Sequence, residues 1–127
     1  MKSSKKYIDS DFFLALMKDS DWLKQKARNL YKKHKQSLYI TPFTIAEIMI
    51  VCIREDIPLR ETLSQISRIA KLDSFSWNVF FDSCDYIEQG ATLFDSLLMS
   101  FCGKENSIIS SDKVYKKFGF NIIDLKK

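Results

Sequence analysis

Glycine and proline are nearly absent from this 127-residue chain, which holds three and two of them. A turn-rich all-β fold needs more of both, and a disordered chain would not be 46% hydrophobic, so helices are expected to dominate an ordered core. Histidine occurs once, at His34 inside a basic run, which leaves zinc almost without ligands and a histidine-dependent triad without a base. The three cysteines, Cys52, Cys84 and Cys102, lie far apart and outside any Cys-x-x-Cys pair, a pattern that predicts reduced thiols in a core. No apolar run approaches the roughly 20 residues that cross a bilayer, and the N-terminus carries no signal-peptide h-region. A cytoplasmic protein with no membrane partner is therefore expected. The length suits a single domain over residues 1–127. A net charge of +4 favours an anionic partner without naming one.

Along the chain, Lys5-Lys6-Tyr7-Ile8 reads as a short strand that runs through Asp9 into a helix from Ser10 to Met17, with Phe12, Phe13 and Leu16 toward a core. Asp19, Ser20 and Asp21 offer caps for a second helix from Trp22 to Lys35. That helix has Leu23, Ala27, Leu30 and Tyr31 on one face and Lys24, Lys26, Arg28, Lys32, Lys33 and Lys35 around the rest. Its basic surface is either a solvated face or a path for a polyanion. Leu38 to Thr41 is a second strand, and Pro42 opens an apolar helix reaching Ile53. A helix from Pro58 presents Leu63, Ile66 and Ile69, and a very short strand can fall between Asp73 and Ser76. Trp77 to Gln89 forms a helix ended by Gly90, and Thr92 to Cys102 another ended by Gly103. Ser107 to Ser110 is strand-like, a helical turn carries Val114, Tyr115 and Phe118, and Phe120 to Leu125 closes as a strand with Asp124 at an edge or surface. Strands alternating with helices predict an α/β fold with a parallel sheet covered on both faces.

Four acids stand out against this pattern, each with a plain structural use as well as a chemical one. Asp9 ends the first strand and can cap the helix that follows. Glu47 is the only charge in its apolar segment, where a carboxylate without a partner is costly. Thr44-x-x-Glu47 has the spacing of a capping box, but if Thr41 is the cap, Glu47 falls in the second turn and cannot reach back. Asp95 repeats the arrangement three residues after Thr92, and Asp112 can cap the short last helix.

In a parallel α/β sandwich, strand carboxyl ends and the starts of following helices share one edge, so Asp9, Glu47, Asp95 and Asp112 can converge. Clustered carboxylates without His or Cys suit Mg2+ or Mn2+, and such ions support phosphodiester hydrolysis. Lys32, Lys33, Lys104 and Lys113 are candidate phosphate contacts for RNA. Two other classes remain open: a non-catalytic interaction module of the same fold, and a receiver-like or phosphatase-like protein using Asp9 and Asp11 with a lysine. The absence of a phosphate-cradling glycine loop counts against the latter. A basic helical DNA-binding protein has no helix-turn-helix signature to support it.

The segments YIDSD, TPFTIAEI, GATLFDSLLMS, SIISSD and FGFNIIDL, in that order across nearly the whole chain, resemble the PIN-domain ribonucleases and within them the VapC-type toxins. The resemblance implies a PIN-like three-layer sandwich with a central parallel sheet of four or five strands. It implies Mg2+- or Mn2+-dependent RNA cleavage at Asp9, Glu47, Asp95 and Asp112, with Ser110 supporting them and Asp11 close by. It further implies a homodimer and, for the toxin branch, a small antitoxin partner. In the last motif, Ser110-Ser111-Asp112 departs from the family's commoner threonine.

Overall fold

The sheet is built outward from Lys6–Ile8, the first strand, β1. We describe residues 4–17 and 23–126 of a computed structural model. The caps expected at Asp19, Ser20 and Asp21, and the expected helix start at Trp22, lie outside the described residues. After β1 come α1 (Ser10–Met17), α2 (Lys24–His34), β2 (Leu38–Ile40), α3 (Pro42–Arg54), α4 (Leu59–Ile69) and β3 (Lys71–Leu72). They are followed by α5 (Trp77–Glu88), α6 (Leu93–Cys102), β4 (Ser107–Ser110), α7 (Val114–Lys117) and β5 (Asn121–Asp124). The five strands stand in the order β3-β2-β1-β4-β5, and every neighbouring pair is parallel. The chain thus winds outward to β3, then returns to the other side of β1, so the switch in direction falls between β1 and β4.

Alternation along the strands divides the interior into two layers. Ile8, Leu38, Ile40 and Ile109 face one core, where Phe12 and Phe13 of α1, Ala27 and Leu30 of α2, Ile48 of α3 and Ile66 of α4 pack. Tyr7 and Ile108 point the other way, toward Leu98, Met99 and Cys102 of α6 and Tyr115 of α7. Helices therefore cover both faces, as parallel sheets require.

Some boundaries differ from the sequence reading. The short third strand is Lys71–Leu72 rather than a piece of 73–76, and both residues are exposed at the sheet edge, so no apolar pattern marks it. Of the cysteines, Cys52 and Cys102 are buried, but Cys84 is exposed on α5. Gly103 ends α6 with φ 69°, a backbone conformation that favours glycine.

Thr41 settles the start of α3. Its backbone is extended and its hydroxyl accepts a hydrogen bond from the Thr44 amide at 3.0 Å, with Pro42 in the first helical position. Glu47 therefore sits in the second turn, out of reach of the helix start. Replacing Thr41 with Ala should remove this cap and cost about 1 kcal/mol. A urea unfolding midpoint lower than that of the parent protein, with an unchanged slope, is the expected result.

Candidate functional site

Asp9 stands at the carboxyl end of the central strand, where its amide donates to the Ile109 carbonyl of β4 at 3.1 Å. This contact draws the two strand ends together. It puts Ser110, the last residue of β4, beside the Asp9 side chain: the Ser110 hydroxyl donates to Asp9 Oδ2 at 2.9 Å. The Ser10 amide, at the start of α1, donates to Asp9 Oδ1 at 2.8 Å.

A cavity of about 490 Å³ opens here, lined by Asp9, Ser10, Asp11, Glu47, Asp95, Ser111, Asp112, Lys113 and Lys126. All four acids singled out in the sequence reach it, and Asp11 adds a fifth. Each is delivered by a different local device. Asp11 is in the first turn of α1, and its Oδ2 accepts from the Ser111 amide at 2.8 Å and from the Ser111 hydroxyl. The other oxygen, Oδ1, is buried with no hydrogen-bond partner. Glu47 projects from the second turn of α3. Asp95 lies in the first turn of α6, whose cap Thr92 accepts from the Asp95 amide at 3.3 Å. The capping explanation covers only that backbone contact, because the Asp95 carboxylate is turned to Tyr115. Asp112 does not cap α7, whose N-cap is Lys113; instead Asp112 Oδ1 accepts from the Val114 amide at 3.0 Å, in a tight side-chain turn.

Tyr115 is the residue that sequence reasoning passed over. It is fully buried, and its hydroxyl lies 2.8 Å from Asp9 Oδ2 and 3.0 Å from Asp95 Oδ1. A phenol has one hydrogen to give, so a proton on one of the two carboxyls lets both contacts be hydrogen bonds. The available signal was chemical: a tyrosine on a core-facing stripe needs a partner for its hydroxyl. Ser111 and Lys126 were missed as well, and neither stands out from the polar residues around it.

Burial sets the charge state. Desolvation lifts the Asp9 carboxyl to about 7, and the neighbouring Asp11 pushes the same way, against the hydrogen bonds from Tyr115, Ser10 and Ser110. Glu47 is also raised, chiefly by burial and less by Asp95 and Asp11, while a hydrogen bond from Ser10 opposes the shift. The Tyr115 phenol is raised by burial and by the two carboxylates it faces, so it stays a donor.

The candidate lysines divide by position. Lys113 lines the cavity, and so does Lys126 at the end of β5. Lys104 does not: its ammonium lies 4.0 Å from the Phe120 ring centre and donates to the Phe118 carbonyl. Lys32 and Lys33 occupy the last turn of α2, which leads through Ser37 to the amino-terminal end of β2. They stand at the opposite edge of the sheet from the acids.

Sharing a cavity is not the same as sharing a coordination point. Among the described residues, no group of three or more His, Cys, Asp or Glu side chains is disposed to hold a metal ion. Both oxygens of Asp9 and Oδ2 of Asp11 are turned onto serine and tyrosine hydroxyls and backbone amides. The donor chemistry nonetheless suits a hard cation: the ligand-capable lining side chains offer oxygen, and one of those oxygens, Asp11 Oδ1, is buried and unpartnered.

A five-stranded parallel sheet covered by helices on both faces, with an acid-lined cavity beyond its central strand ends, is an α/β sandwich of the PIN type. The PIN domain family matches residues 6–121, and the chain belongs to that family. Three solved structures share the fold. VapC20 of Mycobacterium tuberculosis, described as a sarcin-ricin-loop-cleaving toxin, superposes with a TM-score of 0.74 at 12% identity, over 91% of this chain and 96% of that one. A toxin-antitoxin complex from Klebsiella pneumoniae gives 0.75 at 11% identity, over 95% and 98%. DNA-bound VapBC from Salmonella typhimurium gives 0.74 at 12%, over 97% and 99%. No curated protein matches the sequence. Among the described residues, no helix is long and apolar enough to cross a membrane.

The Asp9 shift has a definite sign. Between about pH 4 and pH 7 the folded protein holds a proton that the unfolded chain, with a carboxyl near 3.8, has released, so stability falls as pH rises through this window. At about 1.4 kcal/mol per pKa unit the loss is of the order of a few kcal/mol. Urea melts in chelator-treated buffer should show it. Asp9→Asn, which cannot ionise, should flatten the dependence, and an equal slope in both proteins would remove Asp9 as its source.

Proposed function

We propose that this chain is a VapC-like toxin endoribonuclease that hydrolyses RNA phosphodiester bonds with the help of Mg2+ or Mn2+. The observation that carries the reading is the gathering of Asp9, Asp11, Glu47, Asp95 and Asp112 around one cavity from both layers of the sandwich. So many carboxylates in a partly desolvated space repel one another, and a divalent cation relieves that repulsion. The fold shared with a toxin described as cleaving the sarcin-ricin loop supports RNA as the substrate.

In this reading Asp9, Glu47 and Asp95 would hold one cation, and Asp112 would help hold a second or orient the attacking water. A bound cation of this type polarises phosphoryl oxygens and makes water more acidic. Ser110 and the Ser10 amide fix Asp9, and Ser111 fixes Asp11. The Val114 amide restrains Asp112 through Oδ1, so its second oxygen can meet water. Water adds to phosphorus in line with the P–O3′ bond, which breaks; the water gives up a proton to solvent, the departing 3′-oxygen takes one from solvent, and the ends formed are 5′-phosphate and 3′-hydroxyl. Lys113 and Lys126 at the cavity supply positive charge for the RNA backbone.

A homodimer and a small antitoxin complete the reading. The large apolar side chains exposed on α3 and α5, among them Ile53, Trp77 and Phe81, are surface that association would cover. The toxin-antitoxin assemblies with this fold support an antitoxin as a partner.

Asp9→Asn and Asp95→Asn should each lower manganese-dependent RNA cleavage by more than the roughly 10–100-fold that outer-shell partners of a metal command. Full turnover by folded variants would reject the assignment. One observation favours a second reading, a PIN-fold module without catalysis: no three acids are gathered about one point among the described residues. Parent protein that neither cleaves RNA nor is stabilised against heat by Mn2+ would establish that alternative.

A further inference from the structure

The Tyr115 hydroxyl bridges Asp9, on the central strand end, and Asp95, on the start of α6. One carboxylate comes from the central sheet and the other from a helix that covers it, and they are far apart in sequence. Tyr115 itself is held on both sides: its ring is fully buried against the α6 layer, and its carbonyl accepts from the Phe118 and Phe120 amides at 3.2 and 3.1 Å. A side chain so fixed presents its oxygen at one place. It takes Asp9 Oδ2, which Ser110 also holds, and Asp95 Oδ1, while Asp9 Oδ1 accepts from the Ser10 amide, so the phenol fixes one oxygen of each carboxylate.

We propose that Tyr115 is a positioning residue that sets the spacing and orientation of the Asp9 and Asp95 carboxylates for a divalent cation. The inference rests on the metal-dependent reading above and adds to it a residue outside the acid set. Hydrogen-bond partners of ligating carboxylates restrict the directions from which those ligands approach the ion, and losing one typically weakens metal binding by about 10–100-fold. Because a phenylalanine ring fills the same space, Tyr115→Phe deletes the bridge and little else.

Tyr7 provides the matching control. It is a second tyrosine buried in the same layer, its hydroxyl donates to Asp73, and it does not line the carboxylate cavity. Mn2+ alone is titrated calorimetrically into the parent protein, Tyr115→Phe and Tyr7→Phe. The expected result is a dissociation constant raised about 10–100-fold in Tyr115→Phe and unchanged in Tyr7→Phe. Unchanged or tighter Mn2+ binding by Tyr115→Phe overturns the proposal, as does equal weakening in both variants, which would mark a general loosening of the core. Parent protein that binds no Mn2+ overturns the metal-dependent reading itself, an outcome distinct from either. If Tyr115→Phe does not fold, the parent protein labelled with 3-fluorotyrosine gives the answer. Saturating Mg2+ should move the Tyr115 fluorine resonance and leave that of Tyr7 in place, and a stationary Tyr115 resonance overturns the proposal.

Discussion

An ionisable carboxyl at the end of an interior strand is expensive unless the surrounding structure answers it, and Asp9 is in that position. β1 has a parallel neighbour on each side, so the residue that follows it is enclosed from both. Its carboxyl is met by an amide from its own helix start, a serine from the neighbouring strand and a phenol from α7. Even so, burial outweighs these contacts and holds the carboxyl near neutrality. The elements around the cavity are arranged about this one group: α1 leaves from it, β4 ends against it, and α6 and α7 reach it through a shared hydroxyl.

The two-layer core explains how residues from such different parts of the chain share the cavity. Ile8 and Ile109 point into one layer while Tyr7 and Ile108 point into the other, and the strand ends lie at the seam. Asp11 and Glu47 arrive from helices of the first layer, Asp95 and Tyr115 from helices of the second. The lining is mostly negative, with Lys113 and Lys126 as its opposing charges. That imbalance is the physical case for a cation in the chemistry.

Much of the acid lining of the cavity was legible because these acids violate their surroundings. Glu47 interrupts an apolar helix and Asp95 an apolar run, so each is conspicuous without any knowledge of the fold. The start of α3 was not legible: Thr41 and Thr44 both offer a capping hydroxyl, and the choice went to Thr41, where Pro42 follows and the side chain is buried. β3 could not be placed from pattern, since Lys71 and Leu72 are both exposed at the sheet edge. Tyr115 read as one more aromatic on a core-facing turn. The lysines read as equivalent, although the fold puts Lys113 at the cavity and Lys32 and Lys33 at the far edge of the sheet.

Local spacing of apolar and polar residues was enough to determine the alternation of strands and helices and the places where acids would stand at strand ends and helix starts, because those features depend on neighbours within a turn or two. Only the tertiary structure decided which hydroxyl faces which carboxylate. Ser110 and Tyr115 lie 101 and 106 residues from Asp9, and their meeting follows from β4 pairing in register beside β1. A hydrogen bond over that separation is set by the register of the sheet and the packing of α7 against it, which no short stretch of the chain encodes.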